Sequence, residues 1–177
     1  MADANRNTQR ECIVGLMRGD NMLYPAQLYR EELKRKLIEC WYNPKYDYYF
    51  SGSAYEVTPP DNNETRHDFV HLDKDGNVDG YFSYQIDWQA RSLYNFGLIG
   101  FADNNTMFLR DCIHRIEDMV TQGIRRAEFW AWSDNPVNKF YERMIKRYSN
   151  GRVAGRLHQS GYFGGKYHDT TIYEILF

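Results

Sequence analysis

The stretch GLIGFADNNTMFLRDC, residues 97–112, constrains the fold more than any other part of the chain. It passes from a strand pattern into a helix pattern through the turn ADNN. The strand is read over residues 92–101. The helix is read from about Thr106 to Gln122, because Leu109, Cys112, Ile113, Ile116, Met119 and Val120 follow three-and-four spacing and Gly123 ends it. A nearly continuous apolar run, Arg126–Trp132, follows and is read as a central strand. A strand–helix–strand passage of this kind places the chain in the α/β class. Its turn is also where α/β proteins hold phosphate-bearing ligands, at the partial positive charge of a helix start.

The flanking sequence completes the pattern. CIVGLM (residues 12–17) is a candidate strand, and RGDN breaks it. From Pro25 to about Tyr42 the chain reads as a helix, with Leu28, Leu33, Leu37, Ile38 and Trp41 approximating one face. Residues 57–66, VTPPDNNETR, form a polar proline-bearing loop and a candidate hinge. HDFVHL (67–72) and Val78–Asp87 flank DKDGN, which reads as a hairpin with Gly76 in the turn. DNPVNKFYERMIKRY (134–148) opens with capping residues and Pro136 and reads as another helix. RVAGRLHQSGYF and TTIYEILF close the chain as two strands around the turn GGKYHD. The whole chain, residues 1–177, is expected to form one α/β domain on a mixed sheet.

Composition narrows the function classes. A net charge of −2 gives no reason to expect nucleic acid or an anionic membrane as the main partner. The basic run YREELKRKL carries acids as well and reads as a solvated helix face. Three widely spaced cysteines, Cys12, Cys40 and Cys112, read as reduced thiols. No signal-peptide core or membrane-length apolar run appears, so a cytoplasmic location is expected. The five histidines lack close metal-ligand spacing, and no metal is expected. His67 and His71 share a strand face that reads as solvated. Nucleophile-elbow and P-loop patterns are missing. Aromatic residues reach 16%, which suits strands and binding clefts alike.

The order of elements and four sequence pieces together resemble the GNAT superfamily of N-acetyltransferases. DKDGNVDGYFSY is similar to the hairpin entering the family's third strand, and TQGIRRAEFWAWSDNPVNKFYERM resembles the passage from the cofactor helix through the fifth strand. The helix ending in QG sits at the family's distance between strands four and five. The tail GRVAGRLHQSGYFGGKYHDTTIYEILF looks like the family's closing strands, where His168 and Asp169 resemble a structural feature. The resemblance implies a mostly antiparallel mixed sheet flanked by helices and splayed between strands four and five. It also implies acetyl-CoA, or another acyl-CoA, in that splay. Pantetheine amides would pair with backbone near Ile99, Gly100 and Phe101, and the pyrophosphate would sit on the turn that follows.

That family turn is usually Q/R-x-x-G-x-G/A. Here the matching residues are Asp103, Asn104, Asn105, Thr106, Met107 and Phe108, so a carboxylate replaces a basic or amide residue and side chains replace the small residues. A carboxylate repels a diphosphate, and a side chain stands where backbone N–H groups would approach it. Asparagines adopt left-handed angles readily enough to leave a modified nest, or else Asp103 or Asn105 simply caps the helix. Tyr141 matches the family's proton donor to the leaving thiolate; its other reading is an amphipathic core tyrosine. Asn135 and Asn138 are candidate contacts to the pantetheine arm, or helix caps. Glu128 is the one acid inside its strand, either a base with a raised pKa or a paired structural charge.

These readings lead to an acetyl-CoA-dependent N-acetyltransferase acting on an amine of a small molecule or polypeptide. The segment around Trp41 to Phe50 would shape the acceptor site, and a homodimer is possible by family analogy. The alternative is a GNAT-fold binding or interaction module that has lost CoA binding and catalysis.

Overall fold

The computed structural model describes residues 22–41, 43–48, 61–103 and 105–177. Strands β1 (Leu23–Pro25), β2 (Arg66–Leu72), β3 (Val78–Asp87), β4 (Ser92–Gly100), β5 (Arg126–Trp132), β6 (Gly151–Phe163) and β7 (Lys166–Leu176) lie in one sheet, ordered β1-β2-β3-β4-β5-β7-β6. Every neighbouring pair is antiparallel except β4 and β5, which run parallel across helix α2 (Thr106–Thr121). Helix α1 (Arg30–Trp41) precedes β2, and α3 (Asn138–Arg147) follows β5.

Successive strand residues point to opposite faces, so each inner strand feeds two cores. Phe82, Tyr84, Ile86, Leu93, Ala127 and Phe129 face α2 and α3, where Phe108, Cys112, Ile116, Tyr141 and Met144 pack on them. Val70, Leu72, Val78 and Ile99 face the other way, against Leu33, Leu37 and Cys40 of α1 and Tyr46. The two cysteines among the described residues, Cys40 and Cys112, are free, as expected, and both are buried. Burial pushes the Cys40 thiol up to about 11, which keeps it protonated and inert.

The hairpin around Gly76 (φ 82), the strand and helix of residues 92–121 and the central strand Arg126–Trp132 form as the sequence predicts. Four expectations change. The chain opens its helical segment with a 3-10 turn, Ala26–Tyr29, before α1 begins at Arg30. That tighter winding rotates the apolar stripe, so Cys40 is buried while Ile38 and Trp41 lie exposed. Pro25, read as the start of the helix, instead ends the short strand Leu23–Pro25, which pairs with β2; three residues are too few to show alternation. Helix α3 starts at Asn138 and not at Asp134, because Asn135 turns its side chain onto the Val137 N–H. The closing turn shrinks to Gly164 and Gly165, both at positive φ, and β7 begins at Lys166 opposite Phe163. The candidate strand at residues 12–17 lies outside the described residues.

The decisive local feature is in β4. Its ladder with β3 runs Ser83↔Gly97 and then Gln85↔Tyr94, so three steps on β4 match two on β3. The extra residue makes a bulge, and Asn95 takes φ 51, which asparagine tolerates better than most residues. Pairing with β5 is confined to Ser92↔Arg126 and Leu93↔Ala127, just before that bulge. Past Leu93 the two parallel strands part.

On the α2 side of the sheet, Phe108 lies over Gly80 so closely that a Cβ there would meet the ring at 2.8 Å. Gly80→Ala should therefore cost about 1–3 kcal/mol by overpacking. Adding Phe108→Leu should recover part of that loss, and urea unfolding of the two variants and the double variant measures the coupling.

Candidate active site

The parted strands define a cleft. Phe96 and Leu98 of β4 and Phe129 of β5 flank it on the helix side, and Tyr141 of α3 reaches the same space. Tyr141 is buried; its ring lies 4.7 Å from that of Phe129 and 5.5 Å from that of Tyr173. The start of α3 is braced to the sheet. Tyr173 Oη donates to Asn138 Oδ1 at 2.7 Å, and Asn138 Nδ2 donates to the carbonyls of Trp132 and Asn135. Asn135 is buried and accepts from the Val137 N–H. Both asparagines thus hold the β5–α3 corner and, through it, the position of Tyr141.

Beyond Gly100 the chain enters the predicted phosphate turn. The Phe101 N–H donates to the Asp79 carbonyl, and Tyr46 Oη lies 3.5 Å from the Phe101 carbonyl. Asp103 projects outward to Lys45, whose Nζ is 2.5 Å from Oδ1; that hydrogen bond and the lysine charge hold its carboxyl below the usual range. Asn104 lies outside the described residues. Asn105 caps α2, its Oδ1 accepting from the Phe108 N–H at 3.0 Å, with φ −74 in place of a left-handed angle. Thr106 and Met107 are the first helical residues, and Met107 is exposed. Phe108, which the sequence places at a small-residue position of the turn, is turned wholly into the core and does not overhang it.

A buried polar network, unforeseen in the sequence, fixes this turn from below. His71 is not solvated, as its strand face suggested, but almost fully buried beside Phe108. Its Nδ1 lies 2.5 Å from Asp79 Oδ1, and its Nε2 lies 3.5 Å from Asp111 Oδ2. Asp79 Oδ2 accepts from Asn105 Nδ2 at 2.7 Å, which sets the amide so that Oδ1 faces the Phe108 N–H. Asp111 accepts from the Met22 N–H and from Arg110 Nε. Alternation sets His71 on the face of Phe69, in the core beneath α2, but does not reveal that Asp79 and Asp111 meet its ring there.

The chain superposes on the spermidine N-acetyltransferase of Vibrio cholerae, solved in complex with CoA and spermine, with a TM-score of 0.64 over 87% of this chain and 94% of that one, at 20% identity. A probable GNAT-family acetyltransferase of Chromobacterium violaceum ATCC 12472 gives a TM-score of 0.63 over 87% and 86%, at 15% identity. The chain has the GNAT fold. No family model and no curated protein matches its sequence.

Within the GNAT fold, Glu128 and Tyr141 fall on opposite faces of β5, because Ala127 and Phe129 point into the core that holds Tyr141. Arg126 Nη2 lies 2.5 Å from Glu128 Oε2, and Arg126 Nε also reaches Glu174. Toward the end of β5, His168 is stacked 3.6 Å from Phe163 and places Nδ1 2.9 Å from Asp134 Oδ1. Its neighbour Asp169 instead takes Arg156, His158 and the Gln159 N–H. Tyr48, from the segment expected near the acceptor, lies edge-on to Phe163 and His168. Across β2 and β3, Asp68 is fully buried; it accepts from Tyr81 Oη at 2.5 Å and from Arg66. Among the described residues no helix is long and apolar enough to cross a membrane.

Desolvation alone would raise the Asp134 carboxyl, but hydrogen bonds from His168 and Lys166 outweigh it and hold it below 3.8. The resulting stabilisation is complete above the unfolded value and is lost as pH falls through the lower folded value. Asp134→Asn should therefore lower Tm at neutral pH and flatten the decline in Tm below about pH 4, as followed by thermal melts across the acid range.

Proposed function

We propose that this protein is an acyl-CoA-dependent N-acyltransferase that acetylates an amine of a small molecule or polypeptide. The observation that carries the reading is the confinement of β4–β5 pairing to residues 92–93 and 126–127, with Tyr141 standing where the strands part. The residues fit the cofactor. Past the bulge, the edge of β4 at Ile99 and Gly100 is released from β5 and is open to pair with amide groups. The start of α2 offers the N–H groups of Thr106 and Met107 ahead of the capped Phe108, Lys45 brings a cation to the turn, and Phe108 leaves it uncovered. Acyl-CoA, when bound, supplies the activated acyl thioester.

The chain's own residues then have few tasks. The bulge at Asn95 frees backbone from the ladder at the cleft, where an N–H can polarise a carbonyl. Tyr141 Oη, kept in place by the Asn138–Tyr173 brace, holds the proton needed by a leaving thiolate. Glu128, engaged by Arg126 on the far face, is assigned no step, so the acceptor's ammonium proton leaves through water. The solved V. cholerae relative contains spermine, which supports a small amine as acceptor. A second reading, a module without CoA binding, is favoured by Asn105 capping the turn and by the carboxylate of Asp103 beside it.

Calorimetric titration with acetyl-CoA, CoA and 3′,5′-ADP separates the two. The proposal expects micromolar binding of acetyl-CoA, about 8 kcal/mol in free energy. No heat at millimolar cofactor would leave the second reading. In an amine screen, Tyr141→Phe should lower turnover by about 10²-fold or more with acetyl-CoA affinity retained.

A further inference from the structure

His71 stands with a carboxylate at each of its ring nitrogens. Nδ1 lies 2.5 Å from Asp79 Oδ1 of β3, and Nε2 lies 3.5 Å from Asp111 Oδ2 of α2. The side chain is almost fully buried, with Phe108 against it and Leu23 as its partner on β1. Behind Asp111, Arg110 Nε donates to Oδ1 at 3.1 Å and the Met22 N–H donates to Oδ2 at 2.9 Å. Asp79 from β3 and Asp111 and Arg110 from α2 are thus the charged groups arranged around the ring.

A carboxylate accepts hydrogen bonds and cannot donate them. An imidazole with a single N–H serves one of the two and turns a bare lone pair toward the other. A ring with a hydrogen on each nitrogen gives both carboxylates a donor, and its charge offsets theirs. Both needs are present here, since Nε2 has no hydrogen-bond partner and the two carboxylates outnumber the single guanidinium.

That charge lies beneath the turn proposed to hold a diphosphate. Asp79 pins both ends of the turn. Its carbonyl accepts from the Phe101 N–H at 2.9 Å and from Asn105 Nδ2 at 3.3 Å, and its Oδ2 accepts from Asn105 Nδ2 at 2.7 Å. Asn105 in turn caps α2 at the Phe108 N–H. A proton on His71 therefore bears on both the seat of Asp79 and the field at the head of α2, where anions bind.

We infer, resting on the proposed use of acyl-CoA, that His71 is a positioning residue that regulates this turn: its ring works doubly protonated, and cofactor affinity is coupled to that proton. A negatively charged ligand favours the protonated ring, so binding takes up a proton. Affinity is full where the free ring is already protonated and falls as pH rises past that point.

The test is calorimetric binding of dephospho-CoA to the intact protein between about pH 5 and 9, in buffers of different ionisation enthalpy. This ligand keeps the diphosphate and lacks the monoester phosphate that titrates near about pH 6. Affinity should fall about tenfold from the acid to the alkaline end, with proton uptake on binding. His71→Gln, neutral throughout, should bind at the alkaline level of the wild type and lose that slope and uptake. A merely structural role would weaken the variant by one factor at every pH. Thermal melts check that the variant folds, and nitrogen NMR of the wild-type ring, which needs no variant, should show both nitrogens protonated at the acid end. A ring that keeps one bare nitrogen throughout, or wild-type affinity that does not change with pH, would overturn the coupling and leave the proposed function standing. Absence of binding by dephospho-CoA, CoA and acetyl-CoA alike would overturn both.

Discussion

The structure depends on an interaction that stops. Parallel β4 and β5 are zipped at Ser92↔Arg126 and Leu93↔Ala127, and the bulge at Asn95 then bends β4 away. Continued pairing would close the sheet and leave an ordinary α/β core. Interrupted pairing releases two strand edges in the middle of a sheet, a position where backbone groups are normally consumed by their neighbours. The released edge of β4 runs directly into the start of α2, so one short segment carries both an extended backbone edge and a helix N-terminus.

Holding that segment in place falls to buried polar groups. Asp79 ties His71 of β2 to Asn105 at the head of α2, and Asp111 from within α2 reaches back to the Met22 N–H. Polar groups this deeply buried persist when their hydrogen bonds are met, and in this network His71 Nε2, 3.5 Å from Asp111 Oδ2, is the atom that falls short of one. A similar corner on the other side of the cleft, Asn135, Asn138 and Tyr173, fixes α3 against β5 and β7. The cleft thus has two rigid lips, with apolar side chains between them.

Much of the fold was legible in the residues. The period of α2, the Gly76 hairpin and the apolar run of β5 each follow from local spacing, because their partners lie close in sequence. The candidate site was legible in part. Tyr141 could be placed on its helix from the surrounding NKFYERM, but its neighbours Phe129 and Tyr173 come from β5 and β7. Asn135 and Asn138 kept two readings in the sequence; their hydrogen bonds show them bracing a corner. His71 was misread because a single strand carries no record of what packs on each of its faces.

By itself the sequence determined the elements, their order and the α/β class, since periodicity and turn chemistry are local properties of the chain. Only the tertiary structure decided that Phe108 fills the space left by Gly80 and does not block the turn, and that Glu128 and Tyr141 stand on opposite faces. Those outcomes depend on which faces meet across long sequence separations, a quantity that no window of the chain contains.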